Sequence, residues 1–231
     1  MTKTNFSDLN VTLIQSDLHW ENAAANRQMF GEKIAAINEE TDIIVLPEMF
    51  TTGFSMAAEK LAESPDGETV KWMKKQAAQM GAVVTGSIIV KEGGQYFNRL
   101  FWAAPNGNIS HYDKRHLFSL GGEEKVYSSG NDKVVFEWKG WRICPLICYD
   151  LRFPVWCRNK EEYDLLLFIA SWPDKRIYAW KQLMIARAIE NQSYVIGVNR
   201  VGMDGNGILH TGGSMITVSY THLRAHETHN D

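Results

Sequence analysis

The stretch "KVVFEWKGWRICPLICYD", residues 133–150, reads as two apolar strands joined at Lys139–Gly140. A Lys-Gly pair between two apolar runs is turn chemistry, so the strands pair antiparallel. The second run stays apolar up to Ile147, as a strand buried on both faces does. It stops at Cys148, and "LRFPVW" (151–156) then turns into a helix. A thiol in that place has two readings. It is either a small buried hydrophobe, or it stands at the carboxyl end of a strand, where layered α/β folds do their chemistry.

Outward from this stretch, strands and helices alternate. "NVTLIQSD" (10–17) reads as a first strand and "ENAAANRQMFGEKIAAINEE" (21–40) as an amphipathic helix. "TDIIVLPEMF" (41–50) carries a buried strand that Pro47 ends. A helix over 67–80 closes at Gly81. Strands over 82–90 and 96–105 flank the turn "KEGGQ", and "NGN" (106–108) leads into "ISHYDKRHLF". "DLLLFIAS" (164–171) is another buried strand. Residues 174–192 form the clearest helix, with Asp174 as its expected N-cap. "SYVIGVNRVG" (193–202) returns as a strand. Hairpins among βα units predict mixed sheets covered by helices rather than a purely parallel sheet.

Composition bounds the function. The 231 residues are 45% hydrophobic and 22% charged, an ordinary globular balance. A net charge of -3 with no basic run argues against nucleic acid or an anionic membrane as partner. No apolar stretch is long enough to span a bilayer. The first residues, "MTKTNFSDLN", lack the apolar core of a secretory signal. Three cysteines are too few and too odd for a disulfide framework and point to the cytoplasm.

Cys148 needs a base or a cation to act as a nucleophile. No G-x-S-x-G elbow, H-E-x-x-H or C-x-x-C pair supplies another chemistry. Two other apolar runs end in charge. Glu48 follows "DIIVLP", where desolvation favours a base, and Lys114 follows "HYD", where an ammonium can hold a thiolate or an oxyanion. Each also has a plain structural reading: a turn cap, a solvated lysine, a packed thiol.

Taken together, "IIVLPEMFTTGF", "YDKRHLF" and "ICYDLRFP" resemble the three signature segments of the nitrilase superfamily of carbon–nitrogen hydrolases, in the order Glu, Lys, Cys. The likeness runs from about residue 10 to "GGSMI" near 216 and is strongest to the omega-amidase branch. It implies an α/β fold, a four-layer α-β-β-α sandwich, that forms homodimers. It implies Cys148 as nucleophile, Glu48 as general base and Lys114 as oxyanion cation. It also implies Glu123 as a supporting carboxylate, the Tyr149 N–H as second oxyanion donor and Trp172 as a pocket residue. Glu124 and simple packing of Trp172 are the alternatives for those last positions. The implied reaction is hydrolysis of a small carboxamide, 2-oxoglutaramate in kind, through a Cys thioester without metal or cofactor. Lys175, Arg176 and Arg200 are candidate anchors for the substrate carboxylate. Other carbon–nitrogen hydrolases, such as aliphatic amidases, N-carbamoyl amidases and nitrilases, and a non-catalytic binding module are the competing readings.

Past "GGSMIT" the pattern departs from the family. "VSYTHLRAHETHND" has no apolar periodicity and resembles translated vector sequence. The expectation is one domain over 1–217 and a disordered or artefactual tail over 218–231, with His222, His226 and His229 as tail residues rather than zinc ligands.

Overall fold

Ile43 and Val45 point one way and Ile44 and Leu46 the other, and both sides are covered. That double burial is why the segment is apolar without alternation. It also sets the layers, because one side faces a second sheet and the other faces helices. These contacts come from a computed structural model that describes residues 8–219.

The elements in chain order are β1 (Val11–Leu13), α1 (Ala23–Ala35), β2 (Ile43–Val45), α2 (Ala58–Leu61), α3 (Glu68–Met80), β3 (Val83–Glu92), β4 (Gln95–Ala103) and β5 (Ile109–Asp113). They continue with β6 (Phe136–Trp138), β7 (Trp141–Ile147), α4 (Pro154–Cys157), β8 (Leu165–Ala170), α5 (Ile177–Asn191), β9 (Tyr194–Asn199), β10 (Val201–Met203), β11 (Leu209–Thr211) and β12 (Met215–Thr217).

One sheet runs β1-β2-β3-β4-β5, parallel across the first three strands and antiparallel beyond. The other five-stranded sheet runs β12-β9-β8-β7-β6, with a parallel centre and antiparallel edges, while β10 and β11 form a separate antiparallel pair. Both five-stranded sheets are therefore mixed, as the hairpins predict. The β6–β7 turn has Lys139 at φ 49° and Gly140 at φ 84°, the pair of left-handed residues a tight hairpin needs.

Phe30 and Ile34 of α1 and Val70, Met73 and Ala77 of α3 cover the outer face of the first sheet. Ile43, Val45, Leu100 and Trp102 share a core with the second sheet, and Trp180, Met184 and Ala188 of α5 complete that cluster. The result is four layers: helices, sheet, sheet, helix.

Helix α5 lies directly on β9 at Gly197. A Cβ there would stand 2.6 Å from Met184 Cε and 2.7 Å from Trp180 Cζ2. The thioether can swing away. The indole is held, since its Nε1–H donates to the Gly213 carbonyl at 2.8 Å. Gly197→Ala is therefore expected to destabilise the fold by about 1–3 kcal/mol. A urea midpoint equal to that of the parent protein would show that the helix does not press on this strand.

Several boundaries differ from the sequence expectation. Helix α1 starts only after Asn22, whose side chain accepts from the Ala25 N–H at 3.1 Å, and it stops at Ala35. Strand β1 is three residues, not eight. Asp174 is not the N-cap of α5. A short 3₁₀ turn over Asp174–Arg176 precedes that helix, and the Asp174 carboxylate accepts instead from Thr211 Oγ1 at 2.7 Å. A tertiary partner takes the cap away. Residues 220–231, which hold most of the expected tail and its three histidines, lie outside the described residues.

Candidate active site

Three strand ends meet in one place. Glu48 follows β2, Lys114 follows β5 and Cys148 follows β7. Lys114 Nζ donates to Glu48 Oε1 at 2.8 Å. It also donates to both oxygens of Glu123, at 3.0 and 2.9 Å. Glu48 and Glu123 are fully buried and Lys114 nearly so, while Cys148 keeps 9% exposure. Glu124, the other carboxylate in "LGGEE", points to solvent.

Each charge is held by neighbours that cannot move far. Glu48 Oε2 accepts the Ser171 N–H at 2.8 Å, from the residue just after β8. Asn98, inside β4, donates to Glu48 Oε1 at 2.8 Å and to Glu123 Oε1 at 3.3 Å. The Phe118 N–H donates to Glu123 Oε2 at 2.6 Å. Asn199, at the end of β9, accepts the Trp172 N–H at 2.7 Å and so fixes the "SWP" segment that carries Ser171.

Two strained backbone positions lie here. Cys148 has φ 44° and Met49, next to Glu48, has φ 45°, values that residues with side chains rarely adopt. Asp150 holds the thiol's elbow. Its Oδ2 accepts the Ile147 N–H at 3.0 Å and the Tyr112 hydroxyl at 2.8 Å, and its Oδ1 accepts the His116 N–H at 2.9 Å. One buried carboxylate thus ties the residues on either side of Lys114 to the turn that presents Cys148.

The electrostatics follow from this packing. Burial works to discharge Lys114, but Glu123 and Glu48 outweigh it and raise its pKa above the ordinary lysine value. Burial raises the Glu123 carboxyl, against the pull of Lys114. Burial also pushes the Cys148 thiol far above its ordinary value; the Glu48 charge pushes the same way and Lys114 partly opposes it. The resting sulfur is therefore a thiol beside a base, not a free thiolate.

Above this cluster opens a cavity of about 260 Å³. Cys148 and Lys114 lie on its wall with Tyr149, Trp172, Arg152 and Arg176. Two of the expected carboxylate anchors do not reach it. Lys175 is exposed outside the lining, and Arg200, also outside it, donates from Nε and Nη2 to Asp17 and the carbonyls of Val201 and Met203, while its Nη1 is buried without a partner. Asn98, Asp150 and Arg152 were not singled out from the sequence. A lone asparagine inside the apolar run of β4 was a signal for the first of them. Among the described residues no group of three or more His, Cys, Asp or Glu side chains is placed to hold a metal ion.

The family model of the carbon–nitrogen hydrolases matches residues 10–220. The chain belongs to the carbon–nitrogen hydrolase family. This carbon–nitrogen hydrolase is 47% identical over 208 residues to the omega-amidase YafV of Escherichia coli strain K12, a match that covers 90% of the chain and 80% of that relative. It is 35% identical over 197 residues to the 2-oxoglutaramate amidase of Bacillus subtilis, covering 83% and 76%. A crystal structure of a CN-hydrolase superfamily protein from Xanthomonas campestris, with an arsenic adduct in its active site, superposes with a TM-score of 0.90 at 47% identity and covers 92% of the chain and 83% of its own. An amidase from Nesterenkonia, 22% identical with a TM-score of 0.84 over 91% and 85% of the two chains, shares the fold.

Proposed function

We propose that this carbon–nitrogen hydrolase is an omega-amidase that hydrolyses the terminal carboxamide of 2-oxoglutaramate-like acids through a Cys148 thioester. The observation that carries the reading is the joint hold of Glu48 and Glu123 on the Lys114 ammonium beside the strained Cys148 turn. Similarity to curated omega-amidases over most of the chain supports the substrate class.

In this mechanism Glu48 takes the thiol proton as Sγ attacks the carboxamide carbon. The C=O electron pair moves to oxygen, and Lys114 and the Tyr149 N–H receive the oxyanion. Tyr149 is the second residue of the short turn Cys148–Arg152, where the first N–H groups have no acceptor within the turn. When the tetrahedral species collapses, the C–N bond breaks and the protonated Glu48 gives its proton to the leaving amine, so ammonia departs. Glu48 then takes a proton from water as the water attacks the thioester. The C–S bond breaks, the acid is released and the thiol regains its proton. Two easier displacements replace one difficult one.

Trp172 supports the acyl side of the pocket and Glu123 anchors Lys114. The three described cysteines are unpaired and suit a reducing cytoplasm. The exposed Val155 and Ile189, on α4 and α5, suit a homodimer through that helical face.

An ammonia-release panel tests the reading. Purified protein is expected to favour 2-oxoglutaramate over aliphatic amides, N-carbamoyl amino acids and nitriles. A preference for any of these over the 2-oxo acid amide would reassign the substrate, and no release from any of them would favour a binding module.

A further inference from the structure

Trp172 carries two arginines toward the cavity. Its indole N–H donates to the Arg176 carbonyl at 2.8 Å, which fixes the backbone just before α5. Its ring lies under the Arg152 guanidinium, with Cζ 5.1 Å from the ring centroid. The Arg176 guanidinium in turn sits over Phe118, Cζ 4.9 Å from the centroid. Phe118 is the residue whose N–H holds Glu123, and Glu123 holds Lys114. The rings of Trp172 and Phe118 therefore carry the two guanidiniums, while the backbone N–H groups of Phe118 and of Ser171, next to Trp172, hold Glu123 and Glu48.

Among the described residues neither guanidinium has a carboxylate partner, although the fold pairs Arg27, Arg99, Arg142, Arg187 and Arg200 with acids. The one acidic residue of the wall besides the catalytic cluster is Asp204. Its Oδ1 accepts the N–H groups of Asn206 and Ile208 inside its own turn. Half-burial lowers the Arg176 pKa, and the neighbouring Arg152 charge acts in the same direction. Half-buried Arg176 and the more exposed Arg152 repel each other where they line the cavity, and an anion that enters there relieves the repulsion.

We propose that Arg176, with Arg152 beside it, is the anion subsite that receives the substrate's distal carboxylate and so selects monoamides of dicarboxylic acids over neutral amides. This rests on the amidase reading above. The planar fork of Arg176 accepts a carboxylate in two parallel N–H···O bonds, and its position relative to Lys114 sets how far the carboxylate can lie from the carboxamide. The site thereby measures chain length as well as charge.

The test is a selectivity ratio: kcat/KM for 2-oxoglutaramate divided by kcat/KM for butyramide. Arg176→Gln is expected to lower this ratio roughly 10- to 100-fold, mainly through KM for the charged substrate, the usual cost of one lost charge-assisted contact. Arg176→Lys, which keeps the charge but not the fork, should recover part of it. Lys175→Gln, adjacent but outside the cavity, should leave the ratio as it is. A ratio unchanged in Arg176→Gln, or lowered equally by Lys175→Gln, overturns the proposal. Binding separates this inference from the amidase reading. The dicarboxylate 2-oxoglutarate should protect Cys148 from iodoacetamide in the parent protein and need roughly tenfold more ligand in Arg176→Gln. Protection without turnover would sink the reaction and keep the subsite; equal protection in both proteins would sink the subsite.

Discussion

Cys148→Ala is expected to lower ammonia release from 2-oxoglutaramate by roughly 10⁴-fold or more, because the covalent route disappears whole rather than in part. The protein should stay folded. The thiol sits at the cavity edge with 9% exposure, so its loss opens no sealed void, and the stability cost should stay near about 1 kcal/mol. A finer comparison tests the elbow itself. Position 148 has φ 44°, which alanine tolerates no better than cysteine and glycine tolerates freely. Cys148→Gly should therefore be as inactive as Cys148→Ala yet match or exceed its stability, by about 1 kcal/mol if the strain is fully relieved. Turnover in either variant above about a hundredth of the parent rate would end the thioester mechanism. A glycine variant clearly less stable than the alanine variant would mean that the backbone at 148 is not strained. Circular dichroism and urea unfolding report the fold, and a coupled ammonia assay reports the chemistry.

Much of this site was legible because its parts sit at the ends of apolar runs. A buried strand must be apolar along its length, so the first charged or reactive residue after it stands out. Glu48, Lys114 and Cys148 each do so. Both-face burial made Ile43 to Leu46 readable as an inner strand, and turn chemistry at Lys139–Gly140 fixed the hairpin. What the sequence hid depends on three-dimensional register. Asn98 bridges two carboxylates only because β4 pairs antiparallel with β5, bringing it beside Lys114, whose N–H donates to the Asn98 carbonyl at 3.0 Å. Arg152 reads as one more charged residue until the turn after Cys148 lays it over Trp172. Asp174 has the chemistry of a cap, but Thr211, far along the chain, takes its carboxylate. The choice among Lys175, Arg176 and Arg200 was likewise undecidable by spacing, since all three flank apolar elements and only one lines the cavity.

Lys114→Met isolates the electrostatic half of the site. The ammonium is buried between Glu48 and Glu123, at 2.8 and 2.9 Å, and both carboxylates are fully buried. Without it they keep Asn98, Ser171 and Phe118 as donors but lose their counter-charge. Breaking a buried pair in this way costs about 3–5 kcal/mol, most of it from the charges left behind. The variant can recover part of that cost by taking up a proton, and Glu123, already raised by burial, is the carboxyl placed to take it. The sign follows. A carboxyl whose folded pKa lies above its unfolded value of about 4.3 binds its proton more tightly in the fold. Stability is then greatest below that unfolded value and falls as pH rises through the raised folded value. The stability gap between Lys114→Met and the parent should therefore be smallest near pH 5 and widen toward pH 8. Turnover should fall roughly 10²- to 10³-fold, the usual effect of removing one oxyanion donor. Urea unfolding of both proteins across that pH range checks the first claim. A gap that stays constant with pH, or lies below about 1 kcal/mol, far under the cost of an uncompensated buried pair, would mean that the three charges do not share one buried site. The chemistry assigned to them would fall with it.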